Sequence, residues 1–449
     1  MIVRAKPFID IAWIRSNVFN SKKISSESIY DFEQEFLSII GAPYCVAVNQ
    51  GRSALYLALK VLNLKSGDEV IVQSLFCNEV IETIISAGGV PVLVDNSILD
   101  FNINPNSIER RINSKTRAII FAHLYGIPCD VKRITEIANN NQIILIEDCA
   151  HALGSKYNST FVGLFGDFAF FSFNFDKPLS MGEGGMLVIN NVSFIDKVSK
   201  LKNHYCLQTL GEEFRIVYAL VLQSILTNNE VYKSYLPITF AKLLINNYPE
   251  FYELLKKLLN TSLNEYTITK KIIDYLTKNN LLPQNDNELN KLLPKLYKNS
   301  NITDDGNLLM NSVRSYLGSM NLKMLNKINL KRKINTQLIE KYLDDKLYKR
   351  PIVNAHSDIV YTRYSVLNKT KYTVEKIWQI MKKEQVEIRN YNWKKPIHLI
   401  RYNDKRILFN KKELIESESI SQQLLNIPTH YYITERDIIK IVTSLNNLS

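Results

Sequence analysis

From about residue 30 to residue 191, short and nearly continuous apolar runs alternate with segments whose apolar residues recur every three or four positions. Val46-Ala-Val, Glu69-Val-Ile-Val, Val90-Pro-Val-Leu-Val-Asp95, Ala118-Ile-Ile-Phe-Ala-His123 and Ile143-Ile-Leu-Ile-Glu-Asp148 read as strands, and Ala169-Phe-Phe-Ser-Phe and Met186-Leu-Val-Ile-Asn extend the series. Residues 53–62 place Leu55, Leu59 and Leu62 on one helical face, and residues 80–87 predict a second helix. Strands that are apolar throughout need cover on both faces, which is the condition of a parallel sheet flanked by helices. The pattern therefore predicts an α/β fold with a mostly parallel central sheet and helices on both faces. Ligands of such sheets bind beyond the carboxyl ends of the strands. Here those ends carry Asp95, His123, Asp148 and Ser172.

Residues 206–306 break the pattern. They are rich in Leu, Asn, Lys and Tyr, their 11 basic residues balance 11 acidic ones, and residues 214–226 and 240–245 read as amphipathic helical pieces. A basic helical stretch follows over about residues 309–343. The last hundred residues mix short strands (Ile359-Val-Tyr, Ile407-Leu-Phe) with helices over 374–384 and 435–445, the pattern of a smaller C-terminal α+β domain. The expected organisation is a large α/β domain over 1–205, a helical insertion over 206–306, a connecting helical segment over 307–345 and a small domain over 346–449.

Composition narrows the function classes. Apolar residues at 46% and charged residues at 22% exclude a disordered or collagenous chain. No apolar run approaches the ~18–20 residues of a membrane span, and the first residues lack the apolar core and cleavage site of a signal peptide. Cys45, Cys77, Cys129, Cys149 and Cys206 are scattered without paired spacing, so a cytoplasmic, reducing setting is expected. The net charge of +12 is uneven: residues 311–412 hold 24 Lys plus Arg against 8 Asp plus Glu, which leaves the remainder slightly acidic. Such a basic third attracts anions. With no zinc-finger spacing or RNA-binding signature, nucleic acid is not the expected partner.

Four motifs carry candidate chemistry. Asn49-Gln-Gly51-Arg52-Ser53 stands between a strand and a helix, where Gly51 permits a tight turn and the helix start can cradle a phosphate beside Arg52. Glu147-Asp148-Cys-Ala-His151 follows a strong strand; a carboxylate there could hold a protonated ring nitrogen. Phe171-Ser172-Phe173-Asn-Phe-Asp-Lys177 leads into Gly182-Glu-Gly-Gly185, and an apolar wall favours the nucleophilic free amine of a lysine. Tyr391-Asn-Trp393-Lys-Lys-Pro396-Ile-His398 combines aromatic, basic and imidazole groups suited to an anionic, ring-bearing ligand.

Taken together with Gly67-Asp-Glu-Val-Ile-Val, Ala87-Gly-Gly-Val-Pro-Val-Leu-Val-Asp95, Gly163-Leu-Phe-Gly-Asp-Phe-Ala-Phe-Phe-Ser-Phe173 and the ending Asn426-Ile-Pro-Thr-His-Tyr-Tyr, the chain resembles the DegT/StrS-type sugar aminotransferases, which depend on pyridoxal 5'-phosphate (PLP). The resemblance runs from about Phe32 to Lys202 and resumes near Gly306. It implies the type I fold of PLP-dependent transferases and a homodimer with shared active sites. It implies that Lys177 is the Schiff-base lysine and proton shuttle, Asp148 the partner of the pyridine nitrogen, and Ser172 with Gly51, Arg52 and Ser53 the phosphate site. Asn307 would reach the phosphate of the partner subunit, His151 would contact the ring where the family often has Gln, and His398 would lie on the substrate side. Cys77 stands where a stacking aromatic is usual. The implied reaction moves an amino group from glutamate or glutamine to a nucleotide-linked keto-sugar, for surface polysaccharide or a related glycan. A sugar dehydratase or deoxygenase on this fold, or a non-catalytic relative whose insertion binds a partner, stand as alternatives. For the insertion the readings are plain elaboration, cover for the active-site mouth, a wider dimer contact, or docking on a membrane or partner.

Overall fold

The protein is described by a computed structural model covering residues 2–3, 5–19, 24–227, 240–261, 263, 265–282, 308–388 and 395–448. Asn307, Gly306 and residues 391–394 of the fourth motif lie outside the described residues.

The apolar runs form strands β1 (Tyr44–Val48), β2 (Glu69–Gln73), β3 (Val90–Val94), β4 (Thr116–Ala122) and β5 (Ile144–Asp148). A short hairpin of β6 (Lys156–Tyr157) and β7 (Thr160–Phe161) precedes β8 (Phe168–Ser172) and β9 (Gly185–Ile189). With β10 (Cys206–Leu207) and β11 (Leu308–Leu309) they build a nine-stranded sheet in the order β10-β11-β1-β9-β8-β5-β4-β2-β3. The run β8-β5-β4-β2-β3 is parallel throughout. β9 is antiparallel to both β8 and β1, so β1 and β8 run the same way and end at the same edge. Gly185 is in register with Val48 on one side and Ser172 on the other, which brings three separate stretches of chain to one point.

Alternation of the helices around the sheet buries two apolar layers, one on Leu55, Leu59, Val72 and Ile120, the other on Phe32, Phe36, Phe171 and Phe173. The second layer continues into the insertion. Its helices Leu210–Leu226, Phe240–Asn247, Pro249–Leu259 and Glu265–Lys278 share that core with Ile9, Ile11 and Val18 of the N-terminal segment. The helix expected over 214–226 is present, but Ile216–Leu226 is buried all round rather than on one stripe, so it is an interior element and not amphipathic. The polar Gln223 and Ser224 are buried with the rest of this stretch.

The small domain is a three-stranded sheet of β12 (Tyr348–Lys349), β14 (Arg363–Asn368) and β15 (Leu424–Pro428) behind the 31-residue helix Ser312–Tyr342. The remaining strand, β13 (Ser357–Asp358), pairs with β6 of the large domain. Two expected strands are absent. Residues 359–361 are a buried connector whose backbone turns to large-domain loops: the Val360 amide donates to Ser155 Oγ at 3.0 Å, and the Thr362 amide to Tyr125 O at 2.9 Å. Residues 407–409 make a single bridge to the edge of β3, the Leu93 amide donating to Leu408 O at 2.8 Å. The chain start also crosses over, since Ile2 bridges Val386 of the small domain. The segment after residue 307 opens with a strand of the large sheet before the long helix begins.

Candidate active site

Of the four polar residues at strand ends, two are consumed by the fold. Asp95 accepts from the amides of Glu416 at 2.9 Å and Ser417 at 2.7 Å and so fastens the start of a small-domain helix, Ile415–Gln423. His123 is fully buried; its Nδ1 accepts from the Cys129 amide at 3.2 Å, so Nε2 carries the proton and donates to Glu147 Oε2 at 3.0 Å. Glu147 also accepts from the amides of Gly163, Phe165 and Gly166. A buried carboxylate with this many donors is a structural hub that sets the loop between β7 and β8. His123, Glu147 and Cys149 are close enough to invite a metal, but these bonds already account for the carboxylate and the imidazole.

Asp148 and Ser172 are left facing the site. Asp148 is buried, accepts from the Ala150 amide at 2.9 Å, and is pushed by burial up to about 6, with the Ala150 bond and then the positive charge of Lys177 pulling the other way. Lys177 lies in the loop after β8, its side chain 13% exposed and its Nζ 3.6 Å from Asp176 Oδ1. The other oxygen of Asp176 pairs with Arg363 of β14, a buried guanidinium supplied by the small domain. The loop is pinched at its base, where the Phe173 and Met181 amides donate to Gly184 O and Phe173 O, both at 2.9 Å.

The turn before the helix Gly51–Leu62 packs on Ser172. A Cβ at Gly51 would lie 3.0 Å from Ser172 Cβ, so a larger residue there would push the turn and Ser172 apart by a few tenths of an ångström. The helix start has no side-chain cap and no acidic residue in its first turn, and Arg52 makes no ion pair with a described residue. The Ser172 hydroxyl likewise makes no hydrogen bond to a described residue. This is a positive, donor-rich cradle fitted to a phosphate. Ser53 serves it from behind: its hydroxyl donates to Asn49 Oδ1 at 2.6 Å and its amide to Gln50 O at 3.1 Å. Gly51→Ala is expected to weaken uptake of a phosphorylated cofactor about tenfold or more, read by titration of the cofactor's absorbance, because it displaces the turn from Ser172.

Cys77 stands at the N-cap of the helix Asn78–Ser86 without a capping bond and donates to Glu79 Oε2 at 2.8 Å; burial and then Glu79 hold its thiol well above the usual range. The positive charge of Lys177 opposes this shift. The neighbouring Phe76 is 2% exposed and belongs to the core, so it is not the ring-stacking group. His151 stacks on Tyr125 with centroids 6.0 Å apart and 24° between planes. His398 departs from its expected place on the substrate side. It is fully buried, with Nδ1 2.6 Å from Ser74 Oγ and Nε2 3.0 Å from Glu418 Oε1, so both ring nitrogens are engaged within the protein and it ties the small domain to the loop after β2. The basic excess of residues 311–412 is also partly internal: Arg314, Arg332 and Arg363 are buried, and burial followed by the charge of Arg363 lowers Arg332 to about 10. Tyr125, Asp176 and Arg363 escaped the reading of the sequence. Asp176 adjoins Lys177 and could have been found; Arg363 is 187 residues from its partner and carried no local signal.

The fold is that of known aminotransferase structures. The structure superposes on the X-ray structure of the aminotransferase from Psychrobacter cryohalolentis with a TM-score of 0.71, at 22% identity, covering 100% of this chain and 98% of that one. Residues 14–219 and 297–446 match the DegT/DnrJ/EryC1/StrS aminotransferase family, and the chain belongs to that family. Among curated relatives it is 38% identical over 194 residues to the GDP-perosamine synthase of Escherichia coli O157:H7, spanning 43% of this chain and 51% of that protein. It is 42% identical over 175 residues to the dTDP-3-amino-3,6-dideoxy-alpha-D-galactopyranose transaminase of Aneurinibacillus thermoaerophilus, spanning 39% and 48%. The chain thus spans about half the length of the curated relatives it matches. Among the described residues no helix is long and apolar enough to cross a membrane.

Proposed function

We propose that the protein is a PLP-dependent aminotransferase that moves an amino group from an amino-acid donor, glutamate or glutamine, to a nucleotide-linked keto-sugar. One observation carries this reading: a buried carboxylate, a largely buried lysine and an uncapped helix start packed on Ser172 lie at one edge of one sheet. The donor set fits the cofactor. Gly51, Arg52 and Ser172 would hold the phosphate, with Ser53 setting the turn, and Asp148 would pair with a protonated ring nitrogen. When bound, the cofactor supplies an electron-accepting ring that stabilises negative charge at the reacting carbon. Lys177 would hold the cofactor between turnovers and, once released, move the proton at the reacting carbon. Asp148 keeps the ring nitrogen protonated, which requires its ionised form. Cys77 and His151 would border the ring, Cys77 as a small wall and His151 held by its stack on Tyr125. Asn307 would complete the phosphate site of a second copy in a homodimer. A cytoplasmic setting, where nucleotide-linked sugars are made, and a role in surface glycan synthesis follow from this chemistry.

The names of the two relatives support a nucleotide-linked amino sugar as product. The test is incubation of the protein and PLP with glutamate or glutamine and a panel of GDP- and dTDP-linked keto-sugars. The expected result is one amino-sugar product by mass spectrometry with stoichiometric 2-oxo acid. A product that has lost a sugar hydroxyl and gained no nitrogen, with ammonia released wherever oxo acid forms, would favour a dehydratase or deoxygenase, and no product with any donor would defeat the reading.

A further inference from the structure

The insertion reaches the phosphate cradle by two separate routes, and we propose that it is a brace that presets the cradle's turn for the cofactor phosphate. This rests on the cofactor reading above. In the first route Lys242, in the insertion helix Phe240–Asn247, contacts Glu183 Oε1 at 2.5 Å, and Gln50 Nε2 donates to Glu183 Oε2 at 3.3 Å. In the second, Glu213 of the helix Leu210–Leu226 accepts from Arg314 Nε at 2.8 Å and Nη2 at 2.7 Å, and Arg314 Nη1 donates to Asn49 O at 3.0 Å. Glu213 and Arg314 are both fully buried. Asn49 and Gln50 are the two residues immediately before Gly51, so one charged chain fixes the turn's backbone and the other its side chain.

Packing closes the space between these routes. A Cβ at Gly182 would lie 2.8 Å from Ile216 Cγ2 of the insertion helix, and a Cβ at Gly185 would lie 2.6 Å from the carbonyl carbon of Gln50. The Gly182–Gly185 turn is thus wedged between the insertion and the Gln50–Gly51 peptide, with no slack on either side. The insertion is itself anchored, since Arg15 donates to Leu259 O at 2.9 Å and Leu263 O at 2.8 Å. Lys242 falls within residues 220–296, outside the family match, whereas Glu213 and Arg314 fall inside it, so the first route belongs to this chain and the second to the family frame on which it is added. Amides bind an anion well when their direction is set before it arrives, because the ordering cost is then borne during folding. The insertion supplies that order from outside the cradle, and Lys242 and Glu183 act as positioning residues.

The test compares binding of PLP with binding of pyridoxal, which lacks the phosphate, to the full-length protein by absorbance titration and by release after dilution. Lys242 is 35% exposed, so Lys242→Met spares the fold where a change at Glu213 could not. Lys242→Met is expected to weaken PLP binding about three- to fivefold, the factor of a partly exposed ion pair, with pyridoxal unchanged. Glu183→Gln should act likewise, and the double variant should be no worse than either single one, because both break one chain. Equal loss for PLP and pyridoxal, or no loss for either, overturns the brace. A wild-type protein that takes up neither compound overturns the cofactor reading and the brace with it; wild-type uptake with unaltered variants overturns the brace alone.

Discussion

Lys177→Ala is expected to abolish amino transfer, lowering the rate by at least about 10³-fold, since positioned proton transfer alone accounts for about 10²–10⁴ and the covalent tether is lost as well. The loss should fall on kcat, and the long-wavelength absorbance of the lysine-bound cofactor should disappear even where PLP still binds through its phosphate. The geometry makes the effect local. The side chain contributes no hydrogen bond to the loop, whose shape is kept by the backbone bonds at Phe173 and Met181 and by the Asp176–Arg363 pair. Added methylamine should restore part of the rate. A variant that retains both the band and a near-normal rate would remove the central element of the mechanism.

Asp148→Asn should separate stability from activity. Burial raises the Asp148 carboxyl from 3.8 to about 6 in the protein without cofactor. The folded state therefore binds more protons than the unfolded state between those values, and stability falls as pH rises through that window and levels off above it. At about 1.4 kcal/mol per unit the strain amounts to up to about 3 kcal/mol near neutral pH. An amide that cannot ionise relieves it, so the cofactor-free variant is expected to melt at a higher temperature than the wild type at pH 7 and at the same temperature near pH 4. The same change removes the partner of a protonated ring nitrogen, and amino transfer should fall about 10²-fold or more. Cofactor uptake by the wild type should weaken as pH drops below about 6, where Asp148 becomes neutral. A variant that is less stable and fully active would contradict both halves.

Much of the large domain was legible because its information is local. An apolar run of five residues rich in Val and Ile between polar turns favours an interior strand, and a glycine before an amphipathic segment favours a tight helix start. Asp148, Ser172 and Lys177 stood out because each follows such a run directly. The failures have the opposite character. Ile359-Val-Tyr and Ile407-Leu-Phe look like strands, but their partners are loops and a single edge residue far away in sequence. His398 sits in a motif rich in ligand chemistry, yet Ser74 and Glu418 close around it. Residues 214–226 read as an amphipathic helix, and the N-terminal segment and the other insertion helices enclose Ile216–Leu226.

The succession of strands and helices along the chain, the positions of the lysine and the carboxylate after their strands, and the glycine that opens the helix after β1 were determined by the sequence alone, because hydrophobic period and turn chemistry act between near neighbours. Only the tertiary structure decided which charges are spent inside. Arg314, Arg332 and Arg363 count toward a basic third of the chain, but each is buried among carbonyls and carboxylates that folding brings from 30 to 265 residues away. A side chain's charge is written in the sequence, whereas its solvent and its partner are properties of the folded space around it.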